Sequence, residues 1–205
     1  HSFPTRRSSD LEGYYTEADG DYSHAEGRST EASGNCSHAE GSATYASGNY
    51  SHAEGRNTEA SGLYSHTEGY RTEASGDYSH TEGTGTTASI NNSHAEGYYT
   101  VASGHSSHAQ NYRTIAAKIS QTALGEYNEE DTASTTTHPS GDTDYGKYAA
   151  IIGNGSGPNS RSNALAVTWD GDVELYLDTA ASSGTIDAGL YNAITALDWD
   201  SEVIV

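Results

Sequence analysis

Histidine returns every fourteen residues through the middle of this chain, at His24, His38, His52, His66, His80, His94 and His108. Each follows a serine and opens a phrase such as Ser51-His52-Ala53-Glu54-Gly55. A fixed period of this kind marks a repeat architecture, in which each unit buries a face only by stacking on its neighbours. Aligned on the histidines, the unit reads S-H-A-E-G-x-x-T-x-A-S-G-x-Y. It divides into two seven-residue halves of one form: small or hydroxyl, variable, alanine, polar, glycine, then two variable positions. Alternation of period two is what a short strand shows when one of its faces is packed and the other is not. Glycines come after the strands, at Gly27, Gly41, Gly55, Gly69, Gly83 and Gly97 on one side and at Gly34, Gly48, Gly62, Gly76 and Gly104 on the other. There a residue without Cβ takes φ > 0 or lets two backbones pass closely.

Two strands and two corners in fourteen residues make one flattened coil. The fold expected is all-β: a parallel β-roll solenoid of 14-residue coils over residues 12–125, rising about 4.8 Å per coil, followed by a small β-rich module. The inward residues are Ala25, Ala39, Ala53, Ala95 and Ala109 from one strand, and Ala32, Ala46, Ala60, Ala74, Ala88 and Ala102 from the other. A helix is excluded, because a glycine every seven residues costs about 1 kcal/mol each there and no apolar stripe offsets it. With 33% hydrophobic residues, one Phe and no Met, the core is only two small side chains thick. Burying an alanine methyl contributes on the order of 1 kcal/mol, against roughly 1–2 kcal/mol per residue for ordering the backbone. Lateral association of several rolls is therefore expected, covering the column Tyr22, Tyr50, Tyr64 and Tyr78, in which Cys36 takes one place.

The net charge of −20 repels nucleic acid and gains nothing from an anionic membrane. No apolar run is long enough for a membrane-spanning helix. The single cysteine, Cys36, rules out an intrachain disulfide framework. Residues 1–11, HSFPTRRSSDL, share neither the period nor the acidity of the repeats and are read as foreign to the fold.

The tandem phrase S-x-A-x-G-x-x-(S/T)-x-A-x-G, clearest over residues 21–118, resembles the YadA-like head repeat of trimeric autotransporter adhesins. The resemblance implies a left-handed roll, a homotrimer, and attachment to a host-surface glycan or matrix protein. It also implies an extracellular or cell-surface location, outer-membrane attached in that family. Where the family carries an aliphatic residue, this chain has its histidines. Ile90 stands where a corner glycine is expected, and Asn111 and Lys118 replace two more, which predicts that the roll is ending there.

Residues 126–146 read as an acidic, low-complexity loop. Within 147–180, strands are expected at 148–152, 163–169 and 172–177, the last two joined by the Asp170-Gly171 turn. The phrase IIGNGSGPNSRSNALAVTWDGDV resembles a module of phage-like tail fibre proteins, implying a β-structured connector or trimerisation unit and a virion tail fibre as the other location. Residues 181–205 are expected to be irregular, with a short helix over 187–198.

No phosphate loop, HExxH or G-x-S-x-G motif is present, and Ser51 and His52, as strand neighbours, point to opposite faces. The expected function is non-catalytic and without cofactor: an adhesin or fibre head segment, with a purely structural trimeric spacer as the alternative. Two further alternatives are weighed. One is an ice-binding array of Thr30, Thr44, Thr58, Thr72, Thr86, Thr100 and Thr114, whose parity places them inward with the alanines. The other is a metal site in the histidine column. Glu26, Glu40, Glu54, Glu68, Glu82 and Glu96 share the histidines' strand parity, but a linear ladder does not close a tetrahedral shell. The histidines are therefore expected to be architectural. Asp170, Asp172 and Glu174 are read as an acidic hairpin rather than a cation site.

Overall fold

A computed structural model describes residues 10–133 and 143–176. The chain divides into two compact units, His1–Leu175 and Tyr176–Val205, and all described residues but Tyr176 belong to the first. The helix expected over 187–198 lies outside the described residues, as do 1–9 and 134–142. Among the described residues no helix is long and apolar enough to cross a membrane.

Each fourteen-residue repeat forms one coil, with a long strand such as His24–Arg28 and a short one such as Glu31–Ala32. About eight turns stack in parallel and in register: His24 lies beside His38, Ala25 beside Ala39 and Gly27 beside Gly41. The long strands build a twelve-stranded sheet and the short strands an eight-stranded one. Between them lies a core of small side chains. Every alanine predicted to point inward has no solvent exposure, and the threonines of the 30-to-114 column are buried with them. Thr67 and Thr81 take the alanine place in two coils and are equally buried. They divide the apolar core into a cluster from Ala18 to Ala60 and another from Ala88 to Ala123.

The two glycine columns do different jobs. At the far end of the long strand, Gly27, Gly41, Gly55, Gly69, Gly83 and Gly97 have φ between +102° and +115°, and a Cβ there would also stand 2.1–2.2 Å from the carbonyl oxygen of the next coil. After the short strand, Gly34, Gly48, Gly62 and Gly76 have no positive φ, but a Cβ there would stand 2.0–2.2 Å from the carbonyl oxygen of the next coil. The buried serine closes this second corner, its hydroxyl donating to the carbonyl three residues back, as Ser51 does to Gly48 at 2.7 Å and Ser93 does to Ile90 where the glycine is replaced. Side chains link the same corner from coil to coil: the Asp21 amide donates to Asn35 Oδ1 and the Asn35 amide to Asn49 Oδ1.

The roll extends further than the sequence indicated at both ends. Asp10–Tyr14 is a strand in register with His24–Arg28, so the first coil begins inside the segment read as foreign. Loss of the corner glycines does not end the long-strand sheet either. Asn111 adopts φ +82° in glycine's place, and its side-chain oxygen accepts from the Gly125 amide. Thr122–Glu126 comes next in register, and Tyr148–Asn154 then pairs parallel to it, Thr122 beside Ala150, two coil lengths along the chain. Only then does the direction reverse, with Asn163–Thr168 and Val173–Leu175 adding antiparallel. The β-rich module is thus continuous with the roll's own sheet. Its turn is tied by the Gly171 amide to the Thr168 carbonyl and by the Asp172 amide to Thr168 Oγ1.

The short-strand sheet stops at Ile115–Ala116, and side chains replace the missing strand. Asn128 accepts from the Ile115 amide and donates to the Ile115 carbonyl. Gln121 accepts from the Ala117 amide and donates to Asp131 Oδ2 and the Tyr148 carbonyl. Asp131 Oδ2 also accepts from the Lys147 and Tyr148 amides. All three side chains are buried. The part of 126–146 read as a low-complexity loop therefore supplies a polar cap on the core.

Candidate functional site

Strand alternation puts Ser and Ala inward and leaves His and Glu on the outer face of the long-strand sheet, the histidines half-buried by their neighbours above and below and the glutamates half-buried except for the exposed Glu40. Parallel register stacks the histidines into one column. From His38 to His108 the ring centroids are 4.7–4.9 Å apart and the rings nearly parallel, with interplanar angles of 2–7°. His24 departs, lying edge-on to His38 at 79° and bonding Glu26 through Nε2 at 3.3 Å.

The glutamates two residues on run alongside. Glu40 stands 3.9 Å from His38 Nε2, Glu54 3.8 Å from His52 Nε2 and Glu96 3.6 Å from His108 Nε2. These are ion-pair distances, too long for hydrogen bonds. The Nε2 atoms of His38, His52, His66, His80, His94 and His108 are shielded from solvent and have no hydrogen-bond partner. Burial lowers the pKa of His52, His80 and His94 below the ordinary histidine value, and the charge of neighbouring histidines lowers it further. The glutamates oppose that shift: Glu54 and Glu40 at His52, Glu82, Glu68 and Glu96 at His80, Glu82 at His94. These three rings are thereby held toward the neutral form beside the glutamate column.

The other recurrent columns sit elsewhere. Tyr50, Tyr64 and Tyr78 stack at 4.8 and 5.2 Å on an exposed corner. Each takes a left-handed backbone, φ 56–59°, a conformation that costs roughly 1–2 kcal/mol for a residue with Cβ. Cys36 shares that conformation at φ 55° and is a free, exposed thiol. Near the far end a second aromatic patch gathers Tyr98, Tyr99, Tyr112 and Tyr127 around the guanidinium of Arg113, 4.7–5.9 Å from the rings. Nothing in the 14-residue unit foreshadowed it, because Tyr98, Tyr99 and Tyr112 fall at variable positions. The threonine column is wholly buried and presents no hydroxyl array to solvent, which removes the basis for ice binding through it. In the hairpin, Glu174 accepts from the Tyr148 hydroxyl and pairs with Lys147, so its carboxylate is engaged within the fold.

Searches against protein-family models and against curated proteins find no match to this chain.

Proposed function

We propose that this chain is a non-catalytic, surface-exposed head segment of an adhesin or fibre that works as a homotrimer. The observation that carries the reading is the in-register 14-residue coil with a fully buried alanine column, the arrangement implied by its likeness to the YadA-like head repeat. Three features support it. The core is too thin to favour a solitary roll, stacked tyrosines stand exposed along one corner, and the acidic exterior suits a solvent-facing rod. The function implied is attachment to a glycan or matrix protein, at a cell surface or on a virion fibre.

Sedimentation equilibrium on the whole chain tests the assembly. A trimer is expected; a stable monomer at micromolar concentration overturns the reading, and a dimer keeps the argument for association while breaking the likeness. A glycan and matrix-protein binding screen on the trimer then separates attachment from the structural-spacer reading. Binding to a defined surface supports the first, and a trimer that binds none of them supports the second.

A further inference from the structure

We propose that the histidine–glutamate face binds borderline divalent transition-metal ions, Zn²⁺ and its neighbours Ni²⁺ and Cu²⁺, each held between two adjacent coils by two imidazoles and one carboxylate. A bare histidine ladder would not suffice. The roll supplies the third ligand by placing a glutamate of the same strand parity beside each pair of rings. Among the described residues three groups bring their ligand atoms within 4.8 Å of one another: His38, Glu40 and His52; His52, Glu54 and His66; and His94, Glu96 and His108.

A second, independent observation points the same way. The Nε2 atoms of all five of these histidines are shielded and make no hydrogen bond. In the Nδ1–H tautomer each presents a lone pair with nothing to receive it. Orphaned polar atoms in such positions carry a cost, and a cation relieves it. The donor set selects the ion: imidazole with carboxylate suits Zn²⁺, Cu²⁺ and Ni²⁺ better than Mg²⁺ or Ca²⁺. Two histidines and one glutamate leave a fourth position for water, a recognised Zn²⁺ arrangement. Bonds of about 2.0–2.1 Å place tetrahedral ligands roughly 3.3 Å apart. The separations of 3.6–3.9 Å between carboxylate and ring nitrogen lie close to that, and the stacked rings close the rest by tilting on their half-exposed side.

Topology also sets the number. His52 belongs to two of the three groups, and one Nε2 lone pair serves one ion. The first two groups therefore exclude each other, and each chain holds at most two ions. His80 belongs to none, although its ring stacks in the same column.

Equilibrium dialysis of the whole chain against Zn²⁺ at pH 7.5 tests this. Saturation at two ions per chain is expected. His52→Asn and His94→Asn should each reduce it to one, the double variant to none, and His80→Asn should leave two. Circular dichroism confirms that each variant is folded. Should His52→Asn not fold, the Glu40→Gln/Glu54→Gln pair, which touches only the outer face, replaces it with the same expected loss of one ion. Electron paramagnetic resonance of the Cu²⁺-loaded chain should show two equatorial nitrogens. Absence of binding above that of the double variant overturns the proposal. So do equal losses from His80→Asn and His52→Asn, saturation away from two, or a Cu²⁺ spectrum without two nitrogens. None of these outcomes depends on the oligomeric state or on attachment to a surface.

Discussion

Four glycines form a natural factorial test of why this roll needs glycine. At Gly55 two demands coincide: φ is +107° and an added Cβ would stand 2.2 Å from the Gly69 carbonyl oxygen. At Gly48 only the collision is present, 2.0 Å from the Gly62 oxygen, while at Gly171 only the backbone demand is, φ +90° with no atom within 4 Å. Gly157 carries neither. For Gly55→Ala, the left-handed conformation costs roughly 1–2 kcal/mol. Relieving the collision means moving the next coil by about 1 Å, against ordinary contacts near 3.4 Å. That breaks the bond from the Arg56 amide to the same Gly69 oxygen, 2.8 Å long, and leaving such groups unpaired costs about 1–3 kcal/mol. The expected destabilisation is about 2–5 kcal/mol, a large part of the 5–15 kcal/mol by which domains are commonly stable. For Gly48→Ala, Ile90 shows how the corner gives way. Most coils donate two amides to one carbonyl, as Ser47 and Gly48 do to Ala60; at Ile90 only the branch from Ser89 to Ala102 is made. Losing one branch sets the cost at about 1–3 kcal/mol. Gly171→Ala should cost about 1–2 kcal/mol, and Gly157→Ala should be neutral or stabilising by up to about 1 kcal/mol, by restricting the unfolded chain. Urea unfolding followed by far-ultraviolet circular dichroism, with slopes checked for constancy, gives the four values. The reasoning fails if Gly48→Ala is as mild as Gly157→Ala, or if Gly171→Ala costs as much as Gly55→Ala.

Acidification should weaken the metal-free roll. His52, His80 and His94 have folded pKa values held below the unfolded value of about 6.5, so the unfolded chain takes up protons first. Stability is full above about pH 6.5 and declines as pH falls from there through the folded values; melting curves at pH 7.5 and 5, with chelator present, should show the loss in the parent and a smaller one in His52→Asn/His66→Asn/His80→Asn. Asp131→Asn should destabilise by about 2–4 kcal/mol in urea unfolding. One carboxylate oxygen accepts from the Lys147 and Tyr148 amides and from Gln121 Nε2, and an amide group at that oxygen's place would oppose donor to donor; a change below about 1 kcal/mol would show that the cap is not a closed network.

What the sequence revealed and what it concealed divide along a physical line. The coil, the two strands and the inward alanines were legible because each is a repeated local choice, and parallel register carries the choice from coil to coil. Ser51, by contrast, reads only as a small inward residue until the corner brings the Gly48 carbonyl within reach of its hydroxyl. The separate duties of Gly48 and Gly55 were hidden for the same reason: a close approach belongs to two coils, and one repeat contains neither partner. The left-handed tyrosines were invisible because propensity argues against them, and only the closed circuit of the coil forces φ to 56–59° at Tyr50, Tyr64 and Tyr78.

The end of the roll shows the same division most clearly. A stack of coils must leave its last strands with unpaired amides and carbonyls, each costly if buried, so some group has to meet them. Periodicity predicts that obligation and says nothing of who meets it. The residues that do, Asn128 and Asp131, lie in a stretch whose composition reads as a solvated loop, and their burial depends on Tyr148–Asn154 returning to the sheet in register with Thr122–Glu126. Gln121 joins the two sides, with its oxygen on the Ala117 amide of the last coil and its nitrogen on the Tyr148 carbonyl of the returning strand. Cap and returning strand therefore form together, and neither has a signature in the fourteen-residue unit. Truncation after residue 125 would remove both at once: the Ile115 amide and carbonyl would lose Asn128, and Gln121, though still able to accept from the Ala117 amide, would lose both groups to which its nitrogen donates, Asp131 and the Tyr148 carbonyl.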